Sequence, residues 1–502
     1  MLTAEHEPPV SIETETSPEP SRRTRGVALA AVLVLATGLA LYRLGDKSMW
    51  FDESVSWFIA RMSTADFFHT LRYDEANMPL YYAALRGWIA LFGNSETWVR
   101  MLSAVCGIGT IATIYALGRR LFTFNIALAA AVILATNAFF VQHTQEARSY
   151  MMAALLTTLA TYLFVRAVDT DRGWWLYAIV VALGIYAHFF VVLVPIAHVL
   201  SLGVRPRTPG LLRRVALSLV GAVVLTLPYW VAAVTRGSAQ IYENPPLDLR
   251  GIASMVSGFA GGAGPLLVLV VGVAVAATVV ATVRIARSDG RSDALWRITV
   301  PLLALAIPTI GIFATALIGR APALRYFSFL APALAIVVAR GLATLRDRRL
   351  LVAAVVVIVA LQAVGLRRWY GDPQKENWRA AVEQVQREGK PGDAVVLYDA
   401  DRIMLYEYYD NHPYAAGGPK VDFPPKSFTP FPLYAHPLKL TRARLAEIGA
   451  THDRVWYLVP NDSATDAPPA RAQRVAKILD ATHPRAVNDQ YFRVGVSRYD
   501  RR

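Results

Sequence analysis

The chain has 502 residues, of which 55% are hydrophobic and only 18% charged, and its formal net charge is +14. A soluble chain of this length would carry more charge and space its apolar residues at amphipathic periods. Here they come in runs of about 18 or more, enough to cross roughly 30 Å of hydrocarbon, and the mean hydropathy is +0.36.

The arginines sit in short loops between the apolar runs, as a topology signal does. No glycine–arginine or aromatic–basic stretch offers a track for a nucleic-acid strand, so the reading includes no nucleic acid. The single cysteine, Cys106, lies inside an apolar run; it excludes an intrachain disulfide and any cysteine-based metal or redox motif.

Residues 1–25 open the chain as a cytoplasmic tail, and Met1 to Ser21, rich in Glu, Pro, Ser and Thr, has the composition of disorder. Arg22, Arg23 and Arg25 precede the run Val27–Leu44, which ends without a small-residue cleavage site. It reads as an uncleaved first span with a cytoplasmic N-terminus.

Further runs lie at Val99–Leu117, Ile126–Phe140, Met151–Val168, Trp174–Ala187, Phe189–Val204, Val215–Val234, Pro265–Ile285, Ile298–Ile318, Tyr326–Leu345 and Leu351–Leu366. Residues 26–366 thus read as a polytopic α-helical membrane domain of about eleven spans, or about ten if the pair meeting at His188 is a single span. Alternate loops are basic, as an odd count requires: Arg119/Arg120, Arg166/Arg172, Arg205 to Arg214, Arg284 to Arg297, and Arg346 to Arg349. Two large pieces then fall outside the cytoplasm of a cell (inner) membrane protein. One is the first outer loop, residues 45–98, with interfacial helices expected at Ser54–His69 and Leu80–Phe92. The other is residues 367–502, with a helix pattern at Trp378–Glu388 and strand patterns at Ala394–Tyr398, Val455–Val459 and Tyr491–Ser497. Those patterns predict a C-terminal extracytoplasmic α/β domain.

Candidate chemistry gathers at the outer rim. Met49-Trp50-Phe51-Asp52-Glu53-Ser54 places two carboxylates directly after a span, where desolvation is costly. The plain alternative is a helix start, with Asp52 as cap and Glu53 favoured by the dipole. Asp74-Glu75-Ala76-Asn77-Met78-Pro79, before an aromatic pair, is a loop able to close over a sugar. The second outer loop, Gln142 to Tyr150, holds Glu146, Arg148 and Tyr150, and reads either as a site or as a salt-bridged helix start. His188, at the turn Tyr186-Ala187-His188-Phe189, is a sugar contact, a metal ligand or a histidine bonded to its neighbours. Arg320 and Arg325-Tyr326 break the inside bias, which points to an anionic partner. Carboxylates and arginines on one face suit a lipid-borne phosphate: a base takes the acceptor proton while cations hold the phosphate.

At these motifs the chain resembles the GT-C glycosyltransferases, in the branch of bacterial protein mannosyltransferase-like and lipid A aminoarabinose transferase-like enzymes. The matching residues are Trp50-Phe51-Asp52-Glu53, Pro79-Leu80-Tyr81-Tyr82 with Leu91-Phe92-Gly93, Arg100, Tyr115 to Arg120, Gln145 to Tyr150, His188 and Arg325-Tyr326. They cover roughly Trp50 to Leu345 in the family's order. The resemblance implies a GT-C fold, a polyprenyl-phosphate-sugar donor, inverting transfer and an outer-leaflet site. It makes Asp52 the catalytic base and Glu53 its orienter or an acceptor contact, with Arg148 and Arg325 on the donor phosphate. The acceptor it implies is a glycan, lipid or protein. The family often has His-Pro-Pro-Leu where this chain reads Asn77-Met78-Pro79-Leu80, and some relatives bind a divalent cation near this loop. With that histidine replaced no metal is assigned, although Glu75 and His188 remain as candidate ligands. The segments Trp378-Arg379-Ala380-Ala381 and Pro391-Gly392-Asp393 are similar to outer domains of some relatives.

Two other classes compete. A transporter or flippase would show internal repeats and ionisable or broken segments near mid-membrane; Gly261 to Gly264 is a candidate break, but at the end of a span. A scaffold presenting the C-terminal domain would leave the first-loop carboxylates unexplained.

Overall fold

The computed structural model describes residues 20–74, 77–236, 248–318, 322–411, 413–415, 417–431, 438–461 and 467–501. The first half of the chain forms α1 (Arg22–Leu41), α2 (Phe51–Arg61), α3 (Thr64–Tyr73), α4 (Pro79–Phe92), α5 (Glu96–Leu121), α6 (Phe124–Thr136), α7 (Ala138–Thr144), α8 (Tyr150–Thr170), α9 (Trp174–Ala187) and α10 (Leu193–Ser201). The second half of the membrane region adds α11 (Leu211–Arg236), α12 (Leu249–Ala260), α13 (Pro265–Asp289), α14 (Asp293–Ala314), α15 (Ala331–Leu342) and α16 (Arg348–Gly371).

All eleven apolar runs fall on helical segments. Among the described residues, eight segments are long and apolar enough to cross a bilayer by themselves, because a helix rises only about 1.5 Å per residue. The pair α6–α7, bent by 65°, makes a ninth when the two helices are taken together as one span. The remaining two runs fall on short apolar helices either side of His188, whose extended backbone (φ −161°) makes the expected tight turn. The chain is a multi-pass membrane protein.

The bend between α6 and α7 has an identifiable cause. Asn137 leaves the helical region, and its side-chain oxygen accepts from the Phe140 N–H at 3.0 Å. Its amide nitrogen donates to the Phe259 and Ala260 carbonyls at 3.4 and 3.2 Å, at the end of α12. The side chain therefore caps α7 and fixes its exit. The second loop is shorter than expected: Gln142 to Thr144 are helical, leaving residues 145–149 between α7 and α8. Gln145 anchors it. Its amide nitrogen donates to the carbonyls of Leu39, Ala40 and Tyr42 at 3.2, 3.0 and 2.8 Å, groups orphaned at the end of α1. Its oxygen accepts from Trp369 Nε1 of α16 at 2.7 Å.

The first expected interfacial helix is two: α2 and α3 part at Met62, where Ser63 caps α3. Asp52 is not the cap of α2, because Trp50 holds that position and both carboxylates lie in the first turn. Helix α12 was not expected from the apolar runs.

The last part of the chain contains α17 (Trp378–Glu388), α18 (Ile403–Tyr409), α19 (Arg442–Thr451) and α20 (Ala470–Thr482). With them are β1 (Ala394–Leu397), β2 (Lys420–Phe423), β3 (Arg454–Pro460), β4 (Arg485–Tyr491) and β5 (Val494–Asp500). The sheet order is β2-β1-β3-β5-β4, parallel across β2, β1 and β3 and antiparallel across β3, β5 and β4. Helix α17 buries Trp378, Ala381, Val382 and Val385, the spacing of one apolar stripe. This α/β unit sits against the first loop. Tyr409 Oη accepts from the Met49 N–H at 2.7 Å and donates to Glu96 at 2.5 Å, and Tyr408 packs edge-on to Trp57.

Candidate active site

Helix α2 starts soon after the turn that follows α1, so its first turn projects Glu53 into the junction of α5, the 145–149 loop and the C-terminal unit, and Asp52 toward Arg325. Their surroundings differ completely. Glu53 is fully buried. It accepts from Arg100 Nε and Nη2, both at 2.8 Å, in the bidentate geometry that suits a guanidinium. It also accepts from Lys375 Nζ at 2.9 Å and the Ala147 N–H at 3.0 Å. Burial pushes the Glu53 carboxyl toward neutrality, but Arg100 and Lys375 outweigh it and hold it at about 2. Lys375 is pulled down by burial and by Arg100, against the pull of Glu53, so it is the weaker of the two cation partners.

Arg100 also donates to the Leu44, Lys47 and Ser48 carbonyls at 2.9, 2.8 and 3.1 Å. Arg100 and Glu53 together thus fasten the turn before α2, α5, the 145–149 loop and the segment after α16. Four hydrogen bonds thus converge on the fully buried Glu53 carboxylate.

Asp52 is held by fewer contacts. It is partly exposed, at 18%, and its Oδ2 accepts no hydrogen bond from the described residues. Arg325 Nε lies 3.8 Å from that oxygen. Arg148 reaches the same turn of α2, donating to the Asp52 carbonyl at 3.1 Å and to Ser56 Oγ at 3.2 Å. The two arginines therefore flank Asp52, one at the carboxylate and one at the backbone.

Behind them lies an aromatic wall. The Arg148 guanidinium is 5.9 Å from the Tyr150 ring, and the Tyr150 and His188 rings are 6.1 Å apart, as are those of His188 and Tyr326. His188 Nδ1 accepts from the Phe190 N–H at 3.4 Å, which leaves Nε2 as its other polar atom. Tyr150 is buried, and its Oη makes no hydrogen bond with described residues. The structure brings Asp52, Arg148, Tyr150, His188, Arg325 and Tyr326 into one neighbourhood.

Glu146 belongs to the wall's support. Its carboxylate accepts from His143 Nδ1 at 2.8 Å and Gln142 Nε2 at 3.2 Å. Burial opposes its charge, but His143 more than compensates and lowers its pKa. Asp74 goes elsewhere, pairing with His69 at 3.5 Å beside a separate cavity. Asn77 is half-buried at the bend before α4. Glu75 and Arg320 lie outside the described residues. Among those described, no three His, Cys, Asp or Glu side chains converge as metal ligands; His188 is ringed by aromatic side chains instead.

Lys375, Ser56 and Arg402 were not foreseen. Lys375 sits in the polar run Asp372 to Asn377, which carries no periodic signal; only its partner 322 positions away gives it meaning. The Arg402 guanidinium of the C-terminal unit lies 4.2 Å over the Phe51 ring, next to Asp52.

Comparison with known proteins agrees with this architecture. The family model described as dolichyl-phosphate-mannose-protein mannosyltransferase matches residues 74–231, a stretch that contains Glu146, Arg148, Tyr150 and His188. A search of curated proteins finds no match. Among solved structures, ArnT from Cupriavidus metallidurans in the apo state aligns over 95% of this chain and 98% of its own, at 14% identity and a TM-score of 0.61. The same protein bound to undecaprenyl phosphate gives equal identity and coverage with a TM-score of 0.60. The Archaeoglobus fulgidus oligosaccharyltransferase tethered with an acceptor peptide containing the NVT sequon aligns over 78% of this chain and 63% of its own, at 13% identity and a TM-score of 0.52.

Proposed function

We propose that this chain, which has the fold of the GT-C superfamily glycosyltransferases and is ArnT-like and protein-mannosyltransferase-like within it, moves a sugar from a polyprenyl-phosphate donor to an acceptor hydroxyl. The reaction takes place at the non-cytoplasmic face of the cell membrane. The observation that carries the reading is the Asp52 Oδ2 atom, unbonded and flanked by Arg325 and Arg148. A carboxylate with a spare acceptor site suits a general base, and two guanidiniums beside it suit a phosphate.

In the step proposed, Asp52 takes the proton of the acceptor hydroxyl as that oxygen bonds to the anomeric carbon. The bond from that carbon to the donor phosphate oxygen breaks from the opposite side, so the configuration inverts. The electron pair leaves with the polyprenyl phosphate, whose growing negative charge Arg148 and Arg325 stabilise. Charge that develops only in the transition state is where pre-placed cations act most strongly. Undecaprenyl phosphate bound by the ArnT structure supports a lipid phosphate of this kind as the leaving group. The acceptor is a glycan, lipid or protein hydroxyl.

The test is transfer of radiolabelled sugar from a polyprenyl phosphate by the purified protein in nanodiscs. Asp52→Asn is expected to lower the rate by about 10²–10⁴-fold without changing the thermal transition. Full transfer by that variant would remove Asp52 as the base.

A further inference from the structure

Away from Asp52, α2 and α3 meet α18 and the 428–431 loop around a cavity of about 470 Å³. That lies within the roughly 300–1,000 Å³ typical of small-ligand sites. Its wall includes Trp57, Arg61, Asp66, Asp74, Glu407 and Phe431. Two features mark it as more than a gap between domains.

The first is its chemistry. Phe58 and Phe431 approach with ring centroids 6.2 Å apart, and Trp57, 1% exposed, has an Nε1 that makes no hydrogen bond with described residues. The half-buried Phe58 and Phe431 rings, together with carboxylates that accept hydroxyl protons, suit the C–H and O–H groups of a sugar. The second is its charge. Three carboxylates, Asp66, Asp74 and Glu407, stand against one guanidinium and the His69 ring. This is the reverse of the Arg148–Arg325 neighbourhood and is unfavourable for a phosphate or carboxylate ligand.

Helix geometry places the cavity relative to the chemistry. At roughly 100° per residue, Ser56 shares the side of α2 occupied by Asp52, as their common partner Arg148 confirms. Trp57, Phe58 and Arg61 then lie roughly 120–180° around the axis and about 8–14 Å along it. The helix body separates them from the base, so the cavity does not hold the reacting hydroxyl.

We infer that this cavity is a glycan-holding site that grips uncharged sugar units of the acceptor, remote from the hydroxyl that reacts. The inference rests on the glycosyltransferase reading and specifies that acceptor as a neutral glycan. The C-terminal unit then takes part in acceptor binding, because Glu407 and Phe431 form the second wall.

The experiment is calorimetric titration of the full-length protein in nanodiscs with short neutral manno- and gluco-oligosaccharides, and with oligogalacturonates of equal length. Wild type and Asp52→Asn are expected to bind a neutral oligosaccharide equally. Phe431→Ala and Glu407→Ala are expected to weaken it about tenfold, and the acidic oligomers to bind at least about tenfold more weakly. No binding of neutral oligosaccharides by the wild type would overturn the inference. So would equal binding of the acidic ones, unchanged affinity in both cavity variants, or loss of binding in Asp52→Asn. Failure of the transferase reading has a different signature, no transfer from a polyprenyl phosphate by the wild type, and leaves the titration as it was.

Discussion

Replacing Glu53 by glutamine tests whether one buried carboxylate holds the site together. In the wild type, Arg100, Lys375 and Glu53 form a buried trio of net charge +1, every contact at 2.8–2.9 Å. The amide is the same size but neutral, so the substitution leaves two buried cations facing a group whose NH₂ has only donors to offer. Removing one partner of a buried pair costs about 3–5 kcal/mol. A second route gives a similar figure. A carboxyl held at about 2 rather than 4.5 stabilises the folded chain by about 3 kcal/mol at neutral pH. The folded value is the depressed one, so this stabilisation is present above 4.5 and is lost as pH falls toward 2. Lys375→Met leaves the Arg100–Glu53 fork intact and is expected to cost no more than about 2 kcal/mol. The assay heats detergent-solubilised protein and measures the fraction that stays monodisperse. Glu53→Gln is expected to lower the apparent transition by at least about 5 °C, and Lys375→Met by less. A transition for Glu53→Gln within about 1 °C of wild type, or a larger loss in Lys375→Met, would refute the reasoning.

Three further outcomes follow from the geometry. Arg325→Gln is expected to raise the KM for the polyprenyl-phosphate donor about tenfold, and a kcat loss at unchanged KM would count against a ground-state phosphate contact. Gln145→Glu puts a carboxylate against the carbonyls of Leu39, Ala40 and Tyr42, where it has no proton to donate; a loss of about 2–3 kcal/mol is expected in the same heating assay, whereas wild-type stability would show that those carbonyls find other donors. Gly341 of α15 packs directly against the Ala274 carbonyl of α13. Gly341→Ala therefore forces the helices apart, with an expected cost of about 1–3 kcal/mol, and a stable variant would disprove the tight crossing.

How far the residue order alone reached is clearest at particular places. The apolar runs located every described helix that is long and apolar enough to cross a membrane, because desolvating a backbone in lipid requires a long apolar helix and leaves a direct mark on composition. Helix α17 matched its expected bounds, since its amphipathic stripe is a local pattern. Strands β2 and β4 escaped: β2 has four residues, and β4 is mostly exposed, so neither shows a strong alternation. Arg325 was legible as an arginine out of place on a basic-poor face, and Arg148 as part of the polar motif of the second loop.

The split between the two neighbouring carboxylates was not legible. Asp52 and Glu53 share chemistry and helix turn, and only the side of α2 each occupies leaves one partly exposed beside Arg325 and the other a buried tie. Lys375 and the cavity walls Glu407 and Phe431 likewise owe their places to contacts across hundreds of residues. Sequence by itself determined that the chain spans a membrane, which loops are basic, and which short motifs carry charge at the rim, because those properties are set by each segment's own exchange between water and lipid. Tertiary structure alone decided which charges meet and which stay available, because an ion pair's strength depends on distance and burial, and neither is a property of residue order.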